Sequence, residues 1–139
     1  MDIRARAYPN GFELPALTKQ LTLESFHAFE EVMPRPRNLH NDEQLAKESG
    51  LGATVGSGTM VMSFLDQLMQ SSFGDRWHRT GKSRIYLLRP LLAGDTLVMR
   101  AKVCGRLPEA GGTRIVFDVT AHGDGEKLIS TGTSSVVVP

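Results

Sequence analysis

Gly56-Ser57-Gly58-Thr59-Met60-Val61-Met62-Ser63-Phe64-Leu65-Asp66-Gln67-Leu68-Met69-Gln70-Ser71-Ser72-Phe73-Gly74 is the stretch on which the fold turns. Within it Met60, Val61, Phe64, Leu65, Leu68, Met69 and Phe73 return, mostly as adjacent pairs, about every four residues. That spacing gathers apolar side chains on one broad face of an α-helix, so the helix must be buried along its length. Gly74 ends it. Gly56-Ser57-Gly58 opens it with so little side-chain bulk that the backbone amides at its entrance are open to a ligand.

Downstream the periodicity changes from four to two. Strands are predicted over 83–92, 96–104, 113–122 and 127–138, separated by Gly94-Asp95, Gly111-Gly112 and Gly123-Asp124-Gly125, all turn-forming combinations. In the second, Leu97, Met99, Ala101 and Val103 alternate with Arg100 and Lys102; in the third, Ile115, Phe117, Val119 and Ala121 alternate with Arg114, Asp118 and Thr120. Each strand therefore has one apolar face, as an antiparallel sheet covered on one side requires. The fold class that follows is α+β: a curled antiparallel sheet around a long central helix. Such a sheet leaves edges and an open face, and a homodimer is the expected way to cover them.

Upstream, 12–21 is a Pro-interrupted strand candidate. Thr22 opens an amphipathic helix carrying Leu23, Phe26, Ala28, Phe29 and Val32, which must stop by Met33 because Pro34 and Pro36 follow. Pro34-Arg35-Pro36-Arg37-Asn38-Leu39-His40-Asn41 is then a stiff, basic loop. Asn41 or Asp42 caps a short helix through Lys47, with Asn41 and Gln44 spaced as a variant capping box, and Gly50 and Gly52 end it. Trp77-His78-Arg79-Thr80 is expected to be an exposed loop.

The 139 residues suit one domain, 1–139, without repeats or linkers. Sixteen Lys and Arg against 15 Asp and Glu give a net charge of +1, so no overall field favours nucleic acid or an anionic membrane. Apolar runs fall short of a membrane span, and Met1-Asp2-Ile3-Arg4-Ala5-Arg6-Ala7-Tyr8-Pro9 has no apolar core of a secretory signal, so a cytoplasmic protein is expected. Cys104 has no second cysteine to pair with and is expected to pack in the core. His27, His78 and His122 show no ligand spacing, so no metal is expected. Ser57, Ser71 and Ser72 lack the glycine-flanked setting of a serine hydrolase.

Taken in order, Asn38-Leu39-His40-Asn41-Asp42, Val55-Gly56-Ser57-Gly58, Arg89-Pro90-Leu91-Leu92-Ala93-Gly94-Asp95-Thr96-Leu97 and Ser130-Thr131-Gly132-Thr133 resemble the MaoC-like hot-dog dehydratases, over residues 21 to 138. The resemblance implies a hot-dog fold and reversible hydration of a 2-enoyl thioester carried on CoA or an acyl-carrier protein. It implies no cofactor. It also implies that His40 is catalytic and that the backbone amide of Gly58 faces the thioester oxygen, where a fixed donor at a helix start stabilises enolate charge.

In that family an Asp five residues before the His shares the proton transfers with it, within an Asp-x-Asn-Pro-x-His-x-Asp pattern. Here Arg35 stands at the Asp position, Arg37 at the Asn and Asn38 at the Pro. An arginine stays protonated and cannot be a general base. Three readings remain. His40 acts alone, since an imidazole titrates close to neutrality, with Asn38 positioning water or thioester. Alternatively Asp42 or Glu43 replaces the carboxylate. In the third, the domain binds an acyl thioester or completes a partner's site, with Arg35 and Arg37 positioning phosphate or carboxylate groups. A thioesterase reading would rest on Asp66, the one carboxylate of the central helix.

Overall fold

In the computed structural model residues 4–139 are described; Met1, Asp2 and Ile3, where the polar start begins, lie outside them. The elements run β1 (Leu17–Gln20), α1 (Leu23–Val32), α2 (Glu43–Glu48), β2 (Val55–Gly56), α3 (Gly58–Phe73), α4 (Asp75–Thr80), β3 (Lys82–Leu87), β4 (Leu91–Leu92), β5 (Thr96–Glu109), β6 (Gly112–His122) and β7 (Leu128–Val138). Five strands form one antiparallel sheet in the order β1-β5-β6-β7-β3, and β2 pairs with β4.

The two periodicities meet in the core. Met60, Val61, Leu65, Leu68, Met69 and Phe73 of α3 share one hydrophobic cluster with Leu97, Met99, Ala101 and Val103 of β5 and Ile115, Phe117, Val119 and Ala121 of β6. Hydrophobic burial of that extent is what fixes the sheet on the helix, at roughly 1.5–3 kcal/mol per large apolar side chain. Ser57 caps α3 by accepting from Met60 N at 3.3 Å, and Thr22 and Ser25 cap α1 reciprocally at 3.0 and 3.2 Å.

Four expectations are corrected. Trp77 is not on an exposed loop: it lies in α4, 6% exposed, within the core cluster, and its indole N–H donates to Asp66 at 3.1 Å. The large apolar area of the indole outweighs the polar neighbours from which a loop was inferred. Cys104 is exposed, not in the core. The alternation that turns Leu97 through Val103 inward turns residues 100, 102 and 104 outward, and the ladder shifts register at Cys104, between Val103 and Gly105.

The strand predicted over 83–92 is two strands. Pairing of β3 with β7 stops at Leu87, Leu88 N and Arg89 N both donate to Ile129 O at 2.8 and 3.2 Å, and Pro90 has no N–H to continue a ladder. The chain then turns away to form β4. The 12–21 segment is also broken: β1 spans four residues, with an isolated bridge from Glu13 to Lys102 before Pro15.

Candidate active site

The loop between α1 and α2 is built from its own side chains. Asn38 Oδ1 accepts from His40 N at 2.7 Å, Asn41 Oδ1 accepts from Asn38 N at 2.8 Å, and Asn41 Nδ2 donates to the carbonyls of Arg35 and Pro36 at 3.3 and 3.1 Å. Asparagines serve here because each side-chain amide both donates to and accepts from backbone groups that two prolines deny a helical partner. Asp42, not Asn41, caps α2, accepting from Leu45 N at 2.8 Å.

This loop is docked on β2. Val55 N donates to Leu39 O at 3.1 Å, and His40 Nδ1 lies 2.7 Å from Val55 O. A carbonyl oxygen only accepts, so Nδ1 carries the proton of that contact. In the neutral ring the lone pair is then on Nε2.

His40, Gly58 and Val61 line a cleft of about 460 Å³ together with Leu87, Arg89 and Leu91. The volume is that of a small-ligand site. Gly58 is the first residue of α3, so its N–H belongs to the first turn, which has no intrahelical acceptor, and lies at the positive end of the helix dipole. A Cβ at this position would come within 2.8 Å of Leu87 Cδ1, which shows how closely the β3 end approaches the helix start.

Of the residues singled out by sequence, His40 and Gly58 are thus brought together. Asn38 spends its side chain inside the loop, donating to Pro36 O at 2.8 Å as well as holding His40 N. Arg37 pairs with Asp42 at 2.5 Å, a contact that draws the Asp42 carboxyl below and the Arg37 guanidinium above their ordinary values. Arg35 grips Glu30 of α1, Nη2 lying 2.6 Å from both carboxylate oxygens and Nε 3.0 Å from one. Neither arginine lines the His40 cleft. Asp66 is engaged by Trp77, and Arg76 and Arg79 line a different cavity beside Phe73.

Glu30 is the residue the sequence reading passed over. It is 8% exposed, and carboxylates are almost never so buried unless paired. A narrow gap that leaves no room for a water molecule is lined by His40, Glu30, Ser57, Phe26, Phe29 and Met60, among others. The available signal was positional: Glu30 falls four residues after Phe26, on the apolar stripe of α1.

An antiparallel sheet packed on a long helix, with a histidine loop docked at the helix's amino end, defines a hot-dog domain. The MaoC-like domain family matches residues 22–123, and the chain belongs to that family. Among solved structures it resembles the R-hydratase PhaJ1 from Pseudomonas aeruginosa (16% identity, 99% of this chain and 86% of that one, TM-score 0.83). It also resembles the (R)-hydratase from A. caviae involved in PHA biosynthesis (18%, 97% and 100%, TM-score 0.80). A third likeness is to the C-terminally truncated HadBC (3R-hydroxyacyl-ACP dehydratase) complex from Mycobacterium tuberculosis (19%, 98% and 97%, TM-score 0.70). At these identities the likenesses establish the fold. A search of curated proteins finds no match.

Proposed function

We propose that the chain catalyses the reversible hydration of a 2-enoyl thioester, carried on CoA, with His40 as the proton-transfer group and the Gly58 amide as the donor to the thioester oxygen. One observation carries this reading: the His40 Nδ1 contact to Val55 O, which leaves Nε2 as the basic nitrogen in a ring that shares its cleft with the start of α3. As the oxygen of water bonds to C3 of the substrate, Nε2 takes the proton that water loses. The electron pair of the C2–C3 double bond moves toward the thioester oxygen, where the Gly58 N–H meets the charge. The imidazolium then returns a proton to C2, so water has been added and nothing else consumed; dehydration is the reverse.

Asn38 serves this step through His40, whose backbone N–H it holds. Arg35 and Arg37 serve it through the loop, since both are engaged in ion pairs. The test is loss of enoyl-thioester absorbance with a panel of 2-enoyl-CoAs. Turnover by the wild-type chain that falls at least about a hundredfold in His40→Ala is expected. No turnover on any substrate, or full turnover by the variant, would sink the proposal.

A second reading is favoured by Arg35 at the carboxylate position and by the bare edge of β3, where Tyr86 and Leu87, with Leu88 just beyond the strand, are each at least half exposed. In it the chain holds an acyl thioester while a second hot-dog subunit supplies the carboxylate and histidine. An unpaired strand with apolar side chains is a template for another chain. Homodimers alone on co-purification, unable to bind acyl-CoA, would rule it out.

A further inference from the structure

We propose that Phe29, Glu30 and Met60 form a stop just beyond His40 that restricts this chain to short acyl groups. The inference rests on the hydratase reading above and adds the substrate class.

Direction comes first. Gly58 lines the open cleft but not the narrow gap, whereas His40, Val55 and Gly56 line both. If the thioester oxygen lies at the Gly58 amide and C3 at His40, the substrate points from the cleft toward the gap. Its CoA end, long and polar, stays on the side of the cleft of about 460 Å³, and its tail runs on past His40.

The tail then meets a closed wall. Phe26, Phe29 and Met60 line the gap so tightly that no water fits, and Ser57 and Glu30, the latter held by Arg35, line it as well. A few carbons are accommodated by small rotations of Met60, the most adaptable of the core side chains. A longer tail has to displace Phe29 or lie against the buried carboxylate of a half-exposed ion pair, which gives an alkyl chain nothing in return for the solvation it disturbs.

A separate cavity of about 110 Å³ is lined by Phe29 and Glu30 together with Val32, Met33, Arg35 and Thr59. Phe29 and Glu30 border both spaces. Removing the Phe29 ring should therefore join the gap to this cavity and lengthen the acyl site, without touching His40 or Gly58.

The experiment compares kcat/KM for but-2-enoyl-CoA, oct-2-enoyl-CoA and dodec-2-enoyl-CoA in the wild-type chain, Phe29→Ala and Met60→Ala. Expected is a preference of about tenfold or more for the butenoyl substrate in the wild type. In Phe29→Ala the preference should shift to octenoyl, through KM more than kcat. If Phe29→Ala does not fold, Met60→Ala is expected to shift it the same way, and Phe29→Leu, a smaller change, supplies a third measurement. A wild-type preference that rises with chain length, or variants that keep the wild-type profile, overturns the stop. No turnover by the wild type at any length overturns the hydratase reading itself, and with it the stop.

Discussion

Gly58→Pro probes the one backbone group on which the proposed chemistry leans. Proline at the first residue of a helix is well tolerated, because the N–H it lacks has no intrahelical acceptor and its fixed φ suits the helix. The residue before it must be extended, and Ser57 already is, at φ −72° and ψ 154°. The variant therefore deletes the Gly58 N–H and leaves the α3 ladder whole. Its Cβ, like that of any side chain here, would approach Leu87 Cδ1 to 2.8 Å, the end of a flexible and exposed side chain that can swing aside. Stability should stay within about 1 kcal/mol of wild type, a Tm change of a few degrees. Gly58→Ala carries the same Cβ and keeps the amide, so the ratio of the two variants removes the Cβ effect and reports the loss of the N–H together with the ring Cδ that takes its place. Loss of one donor to a developing oxyanion costs about a hundredfold to a thousandfold in kcat. Enoyl-CoA hydration followed by absorbance, with thermal unfolding beside it, reads both quantities. Equal kcat for the two variants would refute the oxyanion role, and an unfolded Gly58→Pro would refute the account of the helix start.

Gly132→Ala should be far more damaging, since a Cβ there would lie 2.0 Å from the carbonyl oxygen of Arg84 in the paired strand β3. Backbone cannot swing aside, and a loss of about 3 kcal/mol, a Tm fall on the order of 10 °C, is expected by thermal unfolding. The Arg114 guanidinium, hydrogen-bonded to Glu109, holds that carboxyl below its ordinary value of 4.5. The pair's contribution is therefore complete above about pH 4.5 and is lost as pH falls through the depressed value, so Glu109→Gln should flatten the acid limb of a stability-against-pH curve. Cys104, outward-facing, should take up one equivalent of a thiol reagent in the native protein. Partial desolvation of its sulfur and the nearby Asp118 push the thiol up, so labelling should be slow at neutral pH and quicken as pH rises; labelling only after unfolding would contradict the strand register.

Where a single periodicity governed a segment, the sequence was a faithful guide. Met60 to Phe73 had to be a buried helix, and Leu97 to Val103 had to be a strand with one apolar face. Where two signals competed, it was less so. Trp77 sits among Asp75, Arg76, His78 and Arg79, whose polarity argues for a loop, while a single indole buried against Gly81 decides for a helix. His40 and Gly58 were legible as candidates because the histidine loop and the glycine-rich helix start are local patterns that carry the family resemblance. Their meeting is not local: it depends on Val55 bonding to Leu39 and His40 across 15 residues or more. Glu30 was hidden because a carboxylate on an apolar stripe announces itself only when its partner is known, and Arg35 lies across a proline break.

That pairing changes what Arg35 means. Taken alone, an arginine five residues before the histidine looks like the loss of a catalytic carboxylate. In the structure it is half of an ion pair: Arg35 grips Glu30, a buried carboxylate of α1, so the loop carrying His40 is tied to the helix by charge-assisted hydrogen bonds. Arg35→Asp would return the carboxylate to the loop but leave Glu30 buried without its cation and facing a second negative charge, a combination that costs more than the ion pair contributes. The two positions are therefore one unit, and a carboxylate is tolerated at position 35 only if Glu30 is made neutral at the same time. In the proposed reaction, proton transfer accordingly falls to the imidazole alone and the helix-start amide serves only as a hydrogen-bond donor.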